Sequence, residues 1–434
     1  MREAGLYRNI ARYERTVRDI SRVLAEVTPD GITVGLANYE HETLSPLKSR
    51  DLLFAAEHPE LNPFYHYFRQ RLEEIFSSNE PSAVGISLNF LSQALCAFSM
   101  IGFIKRELPK VKVILGGGLV TSWLSNPQWK NPFEGLVDHL VAGPGEHQLL
   151  RLLGLDQYEG KTPRPDYGMF QKDRYLAPGF ILPYSASSGC YWNRCSFCPE
   201  KAEGNPYISI PPEQVVSDLK TLTDETNPAL VHLLDNAVSP AVLDALAAEN
   251  IGIPWYGFAR VGSRLADPDF CTVLKRSGCV MLKLGIESGD QGVLDAMCKG
   301  ISVEMASAVL RNLKRAGIAS YVYLIFGTPA ETEGQAKNTL EFTARHSDCI
   351  DFLNLAVFNM PFCGAKAPGL EVRKFYEGDL SLYTDFDHPG GWDRRHVRLF
   401  LENDFRRHPA ISSILKNEPP AFTSNHAPFF AMGP

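Results

Sequence analysis

Apolar residues recur at helical spacing near the start of the chain, at Ile10, Tyr13, Val17, Ile20, Val23 and Leu24, and predict a helix within residues 1–30. A short apolar run at 32–37 reads as a buried strand, and the polar stretch to about residue 62 carries no clear period. Apolar runs at 83–88, 111–115 and 136–142 then alternate with helical patterns at 65–76, 92–108 and 146–153. That rhythm predicts an α/β domain with a parallel, doubly wound, Rossmann-like sheet. One strand ends in Gly116-Gly117-Gly118, and another is followed by Gly143-Pro144-Gly145-Glu146. In such sheets ligands sit outside the carboxyl ends of the strands, where these glycines fall.

A second alternating series follows. Strand patterns lie at 180–186, 230–234, 255–259, 281–286, 321–326 and 352–358, with helical stretches such as 212–224, 304–316 and 332–346 between them. Six β/α units predict an open, partial barrel whose chemistry belongs at the C-terminal ends of its strands. Pro163, Pro165 and Pro178 mark a linker over 156–179, between an N-terminal domain over 1–155 and the barrel over 180–360. Beyond 360 the rhythm stops. Residues 361–434 read as an α-rich C-terminal extension, with an Arg-rich helix at 394–407, that caps the barrel or helps to bind substrate.

Composition narrows the class. The 434 residues are 44% hydrophobic and 21% charged, enough for a full core and unlike a disordered chain. Lys+Arg is 43 against Asp+Glu 50, and the net charge of −7 argues against a DNA-binding surface. No apolar run is long enough to span a membrane, and the first residues lack the layout of a signal peptide, so a cytoplasmic address is expected.

Nine cysteines in such a chain do not suggest a disulfide framework. Six are scattered (Cys96, Cys271, Cys279, Cys298, Cys349 and Cys363) and read as small buried hydrophobes. Cys190, Cys195 and Cys198 are clustered, in Cys190-Tyr191-Trp192-Asn193-Arg194-Cys195-Ser196-Phe197-Cys198, where the first barrel strand ends. Three thiolates there can hold three irons of a cubane and leave the fourth without a protein ligand. A structural zinc site normally takes a fourth Cys or His; the nearest downstream histidine is His232, and no second CxxC exists.

The loop resembles that of the radical S-adenosylmethionine (SAM) superfamily, in which three cysteines hold a [4Fe–4S] cluster and SAM chelates the open iron. The usual spacing is C-x3-C-x2-C, and this chain has C-x4-C-x2-C, one residue longer. By the same resemblance Phe197, just before the last cysteine, lies beside the adenine. Glu287, in Leu284-Gly285-Ile286-Glu287-Ser288-Gly289, accepts the ribose hydroxyls, for which a carboxylate is suited. Against this stands the reading of a solvated strand-end glutamate. Gly327, in Gly327-Thr328-Pro329-Ala330-Glu331-Thr332, matches the segment after the fifth strand, although Glu331 and Thr332 also suit a helix start. Asp235 falls where the family contacts the SAM amino group. Arg260 suits either the SAM carboxylate or a structural ion pair.

Residues 83–153 resemble the cobalamin-binding-type domain often placed before this barrel, which assigns Gly117 and Gly145 to the corrinoid; a doubly wound domain without ligand has similar turns. No histidine sits in a D-x-H-x-x-G motif, Asp387-His388-Pro389-Gly390-Gly391 being a near miss far downstream, so cobalt has no evident protein ligand. Together the resemblances imply a radical SAM enzyme that methylates an unactivated carbon through methylcobalamin, fed by a donor such as flavodoxin or ferredoxin. The Tyr-Trp-Asn-Arg insert resembles lengthened loops of enzymes that methylate peptides, which points to a peptide or small natural-product substrate. The rival readings are radical rearrangement or oxidation without methyl transfer, and a non-catalytic iron–sulfur sensor. No residue is assigned to catalysis itself.

Overall fold

The structure, a computed structural model, describes residues 1–78, 81–155, 163–170, 175–362, 370–374, 378–420 and 426–432. Cys363 and residues 156–162 and 171–174 of the linker lie outside the described residues.

Six strands form one parallel sheet in chain order: Ile181–Tyr184, Leu230–Leu233, Trp255–Ala259, Cys279–Glu287, Ala319–Phe326 and Phe352–Val357. They are called here the first to sixth barrel strands. Alternation splits each into an outer and an inner face. On the fourth strand, Leu282, Leu284 and Ile286 enter the main core under the helices, while Met281 joins an inner cluster with Tyr256, Tyr321, Phe352 and Ala427. The C-terminal segment thus helps to close the barrel's N-terminal end. The helices obey ordinary end rules. In Val303–Ala316 the Ser302 hydroxyl accepts from the Met305 amide at 3.1 Å, and Gly317 ends the helix at φ +72°.

The N-terminal sheet has three parallel strands in chain order: Ala83–Ser87, Lys112–Gly116 and His139–Leu140. The run at 136–142 therefore pairs over only two residues. The run at 32–37 is not part of this sheet: Ile32–Val34 forms an antiparallel hairpin with Tyr39–His41. Its residues are half-exposed, and a short apolar run alone does not say which sheet it joins. The polar stretch conceals a helix, Ser49–Glu57, anchored by the fully buried Leu52. The first helix, Ile10–Val27, buries Tyr13 and Val17 in a cluster with Phe429 and Met432, separate from the N-terminal domain's core. Tyr7 and Tyr13 close on Phe429, each ring centroid 5.3 Å away, so the chain's two ends meet.

The C-terminal extension is helical from Arg394 onward, but it begins as a three-stranded antiparallel sheet, Met360–Pro361, Val372–Lys374 and Tyr383–Phe386. Leu380, 1% exposed, is buried in the core of the N-terminal domain. The extension therefore ties that domain to the barrel.

Candidate radical SAM site

The cysteine loop starts where the first barrel strand ends. Ser187–Ser188 pairs with Ile208–Ser209, so the loop is a closed excursion with a fixed base. Asp235, at the second strand's exit and only 2% exposed, holds that base. Its carboxylate accepts from the Ala186 amide at 3.0 Å and from the Ser187 hydroxyl at 2.5 Å. Burial pushes its carboxyl upward in pKa, and these hydrogen bonds pull it back. Both oxygens are thus engaged with the loop's root. Asn236 adds a bond to the Gly189 carbonyl at 3.3 Å.

The far side of the loop is held by four consecutive residues after the fourth strand. The Met297 carbonyl accepts from the Ser196 amide at 2.9 Å, and that of Cys298 from Trp192 Nε1 at 3.0 Å. The Lys299 carbonyl accepts from Arg260 Nη2 at 2.6 Å. Gly300 packs against the Trp192 ring. Arg260 also lies over that ring, 4.3 Å from its centroid. Arg260 thus braces the loop through one carbonyl bond and a ring stack. The extra residue of the C-x4-C spacing belongs to an insert whose tryptophan is docked.

Glu287 departs furthest from ordinary strand geometry. The pairing slips between Gly285 and Glu287, and Glu287 adopts φ +71°, a left-handed backbone that side-chain-bearing residues rarely take. Its carboxylate folds back over Gly285, where an added Cβ would lie 2.4 Å from Oε1. There Oε1 accepts from Lys299 Nζ at 2.9 Å, with the two side chains 13% and 8% exposed. Lys299 Nζ is also 5.7 Å from the centre of the Phe197 ring. Lys299 thus joins the fourth-strand carboxylate to the aromatic of the cysteine loop. Sequence reasoning missed it, and the only signal was a lysine wedged between an apolar helix end and a glycine.

All three loop cysteines are free thiols, with Cys195 buried and the other two half-buried. Burial pushes the Cys195 and Cys198 thiols upward; Lys299 and Arg260 oppose this at Cys195. Cationic neighbours favour a thiolate, the form that binds iron. Among the described residues no three His, Cys, Asp or Glu side chains close on a single-ion position. The donor set suits a cluster, in which each thiolate takes a different iron, better than one zinc.

Gly327 is buried. At φ +79°, its amide donates to Glu331 at 2.6 Å, and Val397 of the C-terminal extension lies 3.0 Å from where a Cβ would stand. Trp392 Nε1 donates to the same Glu331 oxygen at 3.1 Å, and His388 Nε2 donates to the Thr328 carbonyl at 2.9 Å. The near-miss motif at 387–391 therefore braces this turn.

Between the N-terminal sheet exits and the base of the cysteine loop lies a cleft of about 740 Å³. Gly117, Gly143 and Gly145 line one side, and Ser187, Glu200 and Asn205 the other. The two expected glycines differ. Gly117, at φ +103°, is needed by the fold, because a Cβ would lie 2.5 Å from the Leu88 carbonyl oxygen. Gly145 has no such constraint; its nearest neighbour would be Val141 Cγ1 at 3.5 Å. A 2.5 Å bond from Ser122 Oγ to Glu203 links the two domains beside the cleft.

Residues 184–343 match the family model of the radical SAM superfamily. The barrel is a radical SAM domain. Such a domain implies a [4Fe–4S] cluster and SAM, the pair to which the cysteine loop and the strand exits are suited. Among curated proteins the chain is 24% identical over 313 residues to an uncharacterized methyltransferase, PH0819, of Pyrococcus horikoshii, covering 63% of this chain and 66% of that one. It is 23% identical over 257 residues to an anaerobic magnesium-protoporphyrin IX monomethyl ester cyclase of Rubrivivax gelatinosus, covering 56% and 45%. The chain thus spans about half to two thirds of the length of these relatives. Among solved structures, the radical SAM methyltransferase TsrM from Kitasatospora setae, with tryptophan substrate and a SAM analogue, superposes with a TM-score of 0.57 at 16% identity, covering 86% of this chain and 87% of that one. The cobalamin-dependent radical SAM enzyme OxsB with aqua-cobalamin bound gives 0.52 at 18% identity, covering 66% and 46%. At these identities the likeness is one of fold. No described helix is long and apolar enough to cross a membrane.

Proposed function

We propose that the protein is a cobalamin-dependent radical SAM methyltransferase acting on an unactivated carbon of a small natural product or a peptide. The observation that carries this reading is the 740 Å³ cleft, which runs from the glycine-rich sheet exits to the base of the cysteine loop and supports a second cofactor beside the first. The names of PH0819, TsrM and OxsB support it. When bound, the cluster with SAM supplies a 5′-deoxyadenosyl radical after one-electron reduction, and methylcobalamin supplies the methyl group.

The chain's own residues do the holding. Cys190, Cys195 and Cys198 bind the cluster, and Asp235 with the Met297–Gly300 segment fixes their loop from both sides. Glu287 takes the ribose hydroxyls, with Lys299 compensating its charge and closing over Phe197. Gly145 and its neighbours line the corrinoid cleft, and no histidine among the described residues does so. The reductant is a low-potential carrier such as a flavodoxin or ferredoxin.

The test is anaerobic incubation of reconstituted protein with SAM, hydroxocobalamin and a reductant. Formation of 5′-deoxyadenosine and methionine, together with S-adenosylhomocysteine, is expected. Deoxyadenosine alone, with no S-adenosylhomocysteine under any condition, would promote radical chemistry without methyl transfer. Neither product would retire both.

A further inference from the structure

The barrel lumen holds a charge that none of the groups above uses. Lys283 is on the inner face of the fourth strand, four residues before Glu287, or roughly 13 Å along the strand. It is 3% exposed. Its Nζ lies 5.3 Å from the centre of the Tyr256 ring and 5.1 Å from that of Phe258. One Nζ proton faces His232 Nε2 at 3.5 Å. His232 lies flat on Tyr256, with centroids 4.2 Å apart, and burial beside Lys283 pushes its pKa down to about 3. It is therefore neutral and supplies no counter-charge. No carboxylate pairs with Lys283 among the described residues, and burial lowers the ammonium's pKa to about 8. An ammonium buried without an anion is costly, and ring faces only partly offset the cost.

The lumen is not sealed over this charge. His232, Phe258, Tyr323 and Asn354 are half-buried rather than buried. Tyr323 pairs in register with Gly285, nearer the mouth, and its ring lies 4.9 Å from that of Phe258. Along the inner face the order is thus the Lys283 ammonium, then the rings of Phe258 and Tyr323, then Glu287 and Lys299 at the strand's exit.

We propose that Lys283 is the substrate anchor: it takes the carboxylate of an aromatic organic acid at the lumen floor, with the ring against Phe258 and Tyr323. This rests on the reading of the mouth as the SAM site. The anchored acid presents to the mouth a carbon several bonds from its carboxylate, so Lys283 selects both the charge and the length of the substrate.

The test uses full-length protein with its cluster reconstituted anaerobically, and titration calorimetry with indole-3-propionate and its neutral analogue indole-3-propionamide. The acid is expected to bind at least ten times more tightly than the amide. Lys283→Met should remove that preference by weakening the acid, with iron content retained, and Lys283→Arg should restore it. Equal affinity of the wild type for acid and amide, or no binding of either, overturns the proposal. So does an unchanged acid affinity in a folded Lys283→Met protein. If that variant fails to fold, the comparison of acid and amide on the wild type still decides. Reductive SAM cleavage, scored on the same samples, reports separately on the reading of the mouth.

Discussion

The Trp192 ring occupies the space that a side chain on Gly300 would need, with Cζ2 2.0 Å from the position of a Cβ. Gly300 also sits at φ +69°. Replacing it by Ala imposes a left-handed strain of about 1–2 kcal/mol and drives the ring off its seat. The indole then loses its bond to the Cys298 carbonyl and its stack with Arg260. Gly300→Ala should reconstitute with fewer irons per chain than wild type. Trp192→Phe, which keeps the ring without the N–H donor, should lose less. Equal iron in Gly300→Ala and wild type would show that the insert does not position the thiols.

Replacing Cys190, Cys195 and Cys198 together by Ala should abolish the brown chromophore and about four irons per chain. Reductive cleavage of SAM should disappear with them. Metal analysis and visible spectra of anaerobic protein check this, and a wild type that takes up zinc but never iron would sink the cluster.

Glu287 and Lys299 should behave as a unit. Glu287→Gln removes the charge that accepts two hydroxyls, and charge-assisted bonds are worth about 1.5–3 kcal/mol each, so SAM should bind roughly tenfold more weakly or worse. Lys299→Met leaves the nearly buried carboxylate without its partner and should weaken SAM as well. The double variant should lose less than the sum of the two, by on the order of 1 kcal/mol. Strict additivity, measured by equilibrium binding, would separate the pair.

Glu331 gives a pH test outside the cofactor sites. Burial raises its pKa from the ordinary 4.5 to about 7. The folded state then holds a proton that the unfolded state has lost, so stability declines as pH rises from about 4.5 to about 7, by up to about 1.4 kcal/mol per pH unit, and is level above. One oxygen takes both the Gly327 and Trp392 donors, while the other, Oε1, has no partner. Gln can keep the first arrangement with a carbonyl oxygen. Glu331→Gln should therefore flatten the decline, read from denaturant midpoints at pH 5 and pH 7.5. A parallel decline in both proteins would place its cause elsewhere.

The barrel was legible because each strand is a dense apolar run bounded by turn residues; the Trp255–Ala259 boundaries matched those read from the pattern. The cysteine loop was legible because three thiols in nine residues have few other uses. The contacts that position the site were not. Trp192, Lys299 and Asp235 act through carbonyls, ring faces and folded-back geometry between segments far apart in sequence, and no local period records such contacts. The Ser49–Glu57 helix was hidden for a related reason: its polar flanks masked the anchor, Leu52. The first helix was visible, but its partner was not, since Phe429 lies at the other end of the chain.

The cleft between the domains separates two kinds of glycine, and this sharpens the test for cobalamin. A side chain at Gly117 would collide with the Leu88 backbone, so its loss would damage the sheet whether or not a corrinoid binds there. Gly145 is different: it lines the cleft at an ordinary φ of −87°, and its Cβ would meet only Val141 at 3.5 Å. A Phe at this position would extend into the volume assigned to the corrinoid at little cost to the fold. Gly145→Phe should therefore weaken cobalamin binding at least tenfold, with iron content and the melting temperature close to wild type, because the cysteine loop is held by Asp235 and Met297–Gly300 rather than by the sheet. With no imidazole lining the cleft among the described residues, bound cob(II)alamin should show no nitrogen superhyperfine splitting from the protein in its electron paramagnetic resonance spectrum. A histidine-derived splitting would assign cobalt a ligand outside this cleft. Unchanged affinity in a folded Gly145→Phe protein would move the corrinoid away from the glycine-rich exits, and the cleft would then need another occupant.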